Sequence, residues 1–227
     1  MTKVKSEFAN DSRAALVTYW IGRNACVLFC RVWFRLSVEG LENVPASGPF
    51  ILAPVHRSNM DTPIAAVCTR RRMRYMGKDS LWKHPASAWL FSSLGGYPVA
   101  RGTADREAIS RSIDRLKSGE PLVLFPEGSR QHGPTIAALK DGAMYLASKA
   151  QVSTVPVGIG GSERAMAEGS KFIRPSKVYV VIGTPIPPVP LEDNGRISRE
   201  RIKKSSEELQ HELQRLFDIA QRKADKT

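Results

Sequence analysis

PFILAPV, residues 49–55, is a short, unbroken apolar run that ends directly in His56. PLVLF, residues 121–125, is a second run of the same kind and ends in Pro126-Glu127-Gly128. Runs of this length bounded by turn residues read as strands buried on both faces, the mark of a parallel sheet covered by helices. Working outward, residues 73–77, 97–100, 153–160 and 177–183 (KVYVVIG) read as further strands. Residues 62–70, 85–94, 103–118, 140–150 and 197–223 read as helices. In the 103–118 helix, Ile109, Ile113 and Leu116 share one face. The alternation predicts an α/β fold with a mostly parallel central sheet flanked by helices. The expected organisation is an N-terminal membrane-interfacial segment (1–36), an α/β domain (37–190) and a C-terminal helix packed on or extending from it (191–227).

The chain has 227 residues, 42% of them hydrophobic and 25% charged, which excludes a disordered or fibrous protein. Lys and Arg number 34 against 22 acids, a formal charge of +12 that calls for an anionic partner. Three cysteines, Cys26, Cys30 and Cys68, with no CxxC pair, argue against a zinc framework and suit a reducing compartment. Residues 1–11 lack the plan of a signal peptide.

Residues 12–36 are the most apolar stretch, but Arg23, Arg31 and Arg35 interrupt it, which disfavours a standard transmembrane helix. At 100° per residue, Asn24, Arg31 and Arg35 fall within about 40° of one another, opposite Cys26, Phe29 and Trp33. This predicts an amphipathic helix, or a pair broken near Gly22, lying in a membrane surface. Packing on its own domain is the competing reading. The run Arg70-Arg71-Arg72-Met73-Arg74 is equally open, as a lipid-attracting patch or a solvated turn.

His56 stands at the expected C-terminal edge of a strand, where open α/β folds bind ligands, and Asp61 follows five residues later. The loop between them can return the carboxylate to the imidazole, where it would fix the tautomer and stabilise the imidazolium. Asp61 before Thr62-Pro63 also suits a helix N-cap. FPEGSR (125–130) leaves a strand edge in the same way. Ser129 and Arg130 suit phosphate, and Glu127 can hold that arginine or accept from a substrate hydroxyl; an ordinary turn is the alternative. GGYPVARG (95–102) leaves Arg101 at a strand end, as a second anion ligand or a plain surface arginine.

Together, HRSNMD (56–61), GGYPVARG, FPEGSR and VPVGI (155–159) closely resemble, in order, the four sequence blocks of the glycerolipid acyltransferases, in particular the 1-acylglycerol-3-phosphate acyltransferases. The resemblance runs from about residue 35 to 186 and includes Lys140-Asp141-Gly142-Ala143 and Gly183-Thr184-Pro185-Ile186. Val55, Ser129 and Gln131 depart from the commoner asparagine, threonine and serine. The resemblance implies His56 and Asp61 as catalytic residues. It implies Arg101, Glu127, Gly128, Ser129 and Arg130 as acceptor-phosphate residues, with Arg57, Ser58, Asn59 and Lys140 in support.

It implies transfer of an acyl chain from acyl-CoA or an acyl carrier protein thioester to lysophosphatidate, with no metal, no other cofactor and no serine or cysteine nucleophile. Backbone N–H groups near 57–59 are the candidate oxyanion donors. The expected place is the cytoplasmic face of the cell membrane, peripheral or monotopic, with the lipid surface as partner and no nucleic acid. Glycerol 3-phosphate, a lysophospholipid or a glycolipid is the alternative acceptor; a non-catalytic membrane-surface protein and a nucleic-acid-binding module, which the positive charge alone would suit, are the remote alternatives.

Overall fold

The computed structural model describes residues 12–99 and 106–226. Seven strands form one sheet: β1 (Ser37–Glu39), β2 (Phe50–Pro54), β3 (Arg74–Lys78), β4 (Gly96–Val99), β5 (Leu122–Val123), β6 (Ser153–Gly160) and β7 (Tyr179–Ile182). Their order across the sheet is β1-β7-β6-β2-β5-β3-β4. Every neighbouring pair is parallel except β6 with β7. The helices are α1 (Arg13–Trp33), α2 (Asp61–Ala65), α3 (Pro85–Ser93), α4 (Arg106–Lys117), α5 (Gly142–Ala150), α6 (Ser162–Ala165) and α7 (Arg199–Asp225). This is the expected α/β architecture. Strand β5 keeps only two ladder residues of the five-residue run, and β1 and α6 carry too few residues to show in the pattern.

The sheet sets the site through one adjacency. Strand β2 pairs with β5 in parallel, Ile51 opposite Leu122 and Leu52 opposite Val123. The residues that follow the two strands, from His56 and from Phe125, therefore leave the same sheet edge side by side. The chain moves to opposite sides of β2 to form β3 and β6, so this edge is also a switch point of the topology.

Helix α7 covers the sheet over β6 and β7 with Leu209, Leu213, Leu216, Phe217, Ala220 and Ala224 buried. Two glycines admit it. A β-carbon at Gly158 would lie 2.4 Å from the Leu216 carbonyl carbon, and one at Gly160 would lie 2.3 Å from that of Ala220. Ser198 caps the helix by accepting from Arg201 N–H.

Helix α1 is continuous through Gly22, whose missing side chain receives Leu94 just beyond α3. It is capped by Ser12 and packs against α2 and α3 through Ala15, Tyr19 and Cys30. The Tyr19 hydroxyl donates to Arg71 O and accepts from Met73 N–H, and Arg23 donates to Thr69 O. The opposite side is apolar too: Val17, Ile21, Leu28 and Val32 are each between 57% and 68% exposed. The segment packs on its own domain and keeps an apolar outer side, and its faces differ from expectation. Tyr19 and Cys30 turn inward, and Asn24 and Arg31 flank the exposed apolar stripe instead of opposing it. No helix among the described residues is long and apolar enough to cross a membrane.

The basic run folds mostly inward. Arg71 donates to Pro45, Gly48 and Gly119 carbonyls over the Phe50 ring. Arg72 donates to Ser93 O, and buried Arg74 pairs with Glu120. Only Arg70 is a freely exposed side chain of the run, so neither the lipid patch nor the solvated turn describes it.

Substituting Gly160 by alanine is expected to force α7 off the sheet by part of an ångström, costing about 2–3 kcal/mol as overpacking does. A lowered urea midpoint checks this; an unchanged midpoint would mean the helix is not seated as described.

Candidate functional site

His56 leaves β2 and lies over Phe125, which leaves β5, with ring centroids 4.0 Å apart and planes 22° apart. The imidazole is oriented by this stacking and by Asp61, whose Oδ2 lies 3.1 Å from His56 Nδ1. The same oxygen accepts from Arg57 N–H and Ser58 N–H, both at 2.6 Å. Asp61 is fully buried and opens α2, but its side chain makes no cap; it turns back into the loop. The capping alternative therefore gives way to the imidazole pairing. A carboxylate that accepts these bonds takes the Nδ1 proton as a further donor, which leaves the lone pair on Nε2. Among the described residues Nε2 has no hydrogen-bond partner, and the side chain is 15% exposed.

Because Arg57 N–H and Ser58 N–H are spent on Asp61, they are not oxyanion donors as expected. Of the loop's amides, only that of Asn59 is uncommitted among the described residues.

Glu127 faces inward. Its Oε1 accepts from His56 N–H at 2.8 Å and from Arg57 Nη1 at 3.0 Å, and its Oε2 accepts from Arg57 Nη1 at 2.8 Å. Arg57 is fully buried, donates to Thr135 O, and has its guanidinium 5.0 Å from the Phe217 ring of α7. Both side chains are buried, and their hydrogen bonds run to each other and to the His56 loop and Thr135. Ser58 is likewise buried, its hydroxyl donating to Met166 O.

The open face carries Ser129, Arg130, Asn59 and Lys140. Gly128 adopts φ +74°, and the Lys140 chain crosses it so closely that a β-carbon would lie 2.7 Å from Lys140 Cε. The positive φ favours glycine at this turn, and the lysine chain lies in the space a side chain would take. Ser129 Oγ accepts from Gln131 Nε2. Arg130 donates to Asn59 Oδ1 and to Glu168, both at 2.9 Å. Arg101 lies outside the described residues.

Three side chains escaped the sequence reading. His132 bridges Glu163 and Glu168, each at 3.1 Å, and Glu168 is shared with Arg130. His132 stands two positions after Arg130, a faint signal; nothing local marks the two glutamates, which come from the α6 region. The hydrogen bonds to Glu163 and then Glu168 raise the His132 pKa above its ordinary value. Burial pushes the Cys68 thiol up to about 12, so it is no nucleophile at neutral pH.

Replacing Glu127 by glutamine removes the counter-charge of a buried guanidinium, which costs roughly 3–5 kcal/mol. The expected result is a lower unfolding midpoint together with lower turnover. A raised acceptor KM at unchanged stability would instead put Glu127 against the acceptor. For His132, the raised pKa means that its contribution is complete below about pH 6.5 and is lost as pH rises through the elevated folded value. An NMR titration should find its midpoint above about 6.5, falling in Glu163→Gln.

Residues 35–160 match the family model described as Acyltransferase. A chloroplastic 1-acyl-sn-glycerol-3-phosphate acyltransferase of Arabidopsis thaliana is 28% identical over 158 residues, 68% of this chain and 44% of that protein. The 1-acyl-sn-glycerol-3-phosphate acyltransferase of Bacillus subtilis is 26% identical over 152 residues, 66% of this chain and 73% of that protein. The chain thus spans less than half the length of the plastid relatives. The crystal structure of the 1-acyl-sn-glycerophosphate acyltransferase PlsC from Thermotoga maritima superposes with a TM-score of 0.72 at 26% identity, covering 88% of this chain and 78% of that one. The matched segment contains β2, β5, His56, Asp61 and the FPEGSR loop, and on that match this chain belongs to the acyltransferase family.

Proposed function

We propose that the protein transfers a fatty acyl chain from an acyl thioester, acyl-CoA or an acyl carrier protein, to the free hydroxyl of 1-acylglycerol 3-phosphate, giving phosphatidate. The observation that carries the reading is the imidazole held by Asp61 through Nδ1 and stacked on Phe125 at the head of the FPEGSR loop, whose Arg130 donates to Asn59 of the His56 loop. His56 Nε2 takes the acceptor's hydroxyl proton as that oxygen bonds to the thioester carbonyl. The tetrahedral intermediate collapses, the C–S bond breaks, and the imidazolium returns the proton to the departing sulfur. Asp61 balances the charge that appears on the ring in between. Arg130, with Lys140 and Arg101, holds the acceptor's phosphate and so brings the hydroxyl near the carbonyl. No covalent enzyme intermediate is required. The names of the relatives support the acceptor, while the donor and the roles of His56 and Asp61 rest on the geometry and chemistry above.

The exposed apolar stripe of α1 is the surface that would rest on a bilayer. Trp89 and Leu90 of α3, the helix packed against α1, are also exposed, extending the patch. An apolar face of this kind, rimmed by arginine, suits a helix lying in an interface. This reading makes the protein peripheral or monotopic, on the cytoplasmic face of the cell membrane, where both lipid substrate and soluble donor are within reach.

The test is thiol release from palmitoyl-CoA with dispersed lysophosphatidate, beside His56→Ala and with an acyl carrier protein thioester as second donor. His56→Ala should keep its fold and lose about 10²–10⁴-fold in turnover. Wild-type turnover in that variant would sink the general-base reading, and turnover with neither donor would sink the transferase reading.

A further inference from the structure

Where α1 ends, the loop after α6 and the last turn of α7 meet it around a cleft of about 530 Å³. Its walls carry Arg35, Arg164, Arg174 and Lys177, against a single lining carboxylate, Asp225. It shares no residue with the His56 site. Arg164 already pairs with Asp225 and donates to Ala224 O, and Lys177 donates to Lys226 O. Among the described residues, Arg35 and Arg174 have no side-chain ion pair or hydrogen bond. Arg35 also adopts φ +43°, a left-handed conformation uncommon outside glycine, asparagine and aspartate. The chain thus places a guanidinium at a helix end where glycine is the usual residue. Like charges gathered around an open space repel one another and are stabilised by an anion there.

The surroundings identify the anion's carrier. Val32 and Trp33 precede Arg35, and Phe172 and Ile173 precede Arg174; all four are exposed, Phe172 by 76%. On both sides of the cleft, apolar side chains therefore stand next to the arginine that lines it. This is the layout of side chains that enter the acyl region while their cationic neighbours stay at headgroup level. The exposed stripe of α1 runs into the same corner through Val32.

We infer that this cleft is a second anion site, which holds the phosphate of an acidic phospholipid headgroup while the protein rests on the membrane. The guanidinium groups of Arg35 and Arg174 bind the phosphate oxygens, with Arg164 and Lys177 supplying further positive charge. Phe172 and Trp33 enter the lipid on either side. The site rests on the membrane reading of α1 and adds to it a preference for headgroup charge.

The full chain is tested by flotation with neutral phosphatidylcholine vesicles and with vesicles in which phosphatidate replaces part of that lipid. Wild-type protein should bind the acidic vesicles about tenfold more tightly or better, from two or more arginines at the surface. The double variant Arg35→Asn, Arg174→Ser should lose that preference and keep its neutral binding; asparagine tolerates the left-handed backbone at position 35. Lys203→Ser, Lys204→Ser removes the same charge at the far end of α7 and should keep the preference. Equal loss in both double variants would assign the effect to overall charge and overturn the site. Loss of coenzyme A binding in the Arg35, Arg174 variant, with acidic-vesicle preference intact, would make the occupant a soluble nucleotide and also overturn it. Wild-type protein that binds both vesicle types equally refutes this site alone, whereas binding to neither refutes the membrane reading as well. Arg174→Ser, on an exposed loop, repeats the comparison if the double variant fails to fold.

Discussion

The buried pair between Arg57 and Glu127 joins the two strand ends on which the site depends. Removing both charges from water is costly, and an apolar pair of the same shape would often serve stability as well. What the apolar pair would lack is direction. Glu127 binds the His56 amide as well as the Arg57 guanidinium, so the end of β5 holds the end of β2 at a defined height. Arg57 N–H in turn donates to Asp61, which reaches the imidazole. A displacement of Glu127 therefore propagates, through bonds no longer than 3.1 Å, to the nitrogen that orients the ring. The Phe217 ring and Thr135 carbonyl close the far side of the guanidinium, so α7 supports the site without approaching its open face.

The two longest helices serve opposite needs. Helix α7 is apolar toward the sheet and charged toward solvent, and Gly158 and Gly160 let its backbone approach β6 closely. Its Gln210 and Gln214 also bind backbone groups of residues 134–136, the stretch that carries the Thr135 carbonyl. Helix α1 is fixed to the domain by a narrower seam: the Tyr19 hydroxyl, Arg23 and the buried Cys30. That seam leaves the rest of its apolar surface outside. The outer side is the face that the proposed membrane contact would use, in place of the face read from the arginines.

The α/β plan was legible because unbroken apolar runs and helical periods are local properties. The His56–Asp61 pairing was legible for the same reason, since four residues of loop suffice to close it. The inward turn of Glu127 was not. Whether a carboxylate after a strand faces a ligand or an arginine depends on which strand becomes its neighbour, and Arg57 lies 70 residues away. The same holds for Glu168 beside Arg130 and for the Arg71 side chain, whose carbonyl partners come from two distant segments, the turn before β2 and the one before β5. The faces of α1 were misread because arginine was taken as a marker of the solvent side. Arg23 reaches carbonyls of the domain, and Arg31 stands at the border of an apolar stripe.

The net charge of +12 reads differently once each cation has a place. Arg57 and Arg74 are buried against carboxylates that offset their charge, and the Arg71 guanidinium is held by carbonyls, so none of these side chains reaches out to a partner's anion. Among the cations without such commitments, three stand near a candidate site. Lys140 stands over the FPEGSR turn, and Arg35 and Arg174 line the corner between α1 and the end of α7. Arg130 lies between these extremes: its link to Glu168 is partly exposed and can be exchanged for a phosphate at small cost, as exposed ion pairs are weak. The corner lined by Arg35 and Arg174 stands beside exposed aromatic side chains and shares no residue with the imidazole site, so a headgroup bound there would leave the acceptor's phosphate to Arg130 and Lys140.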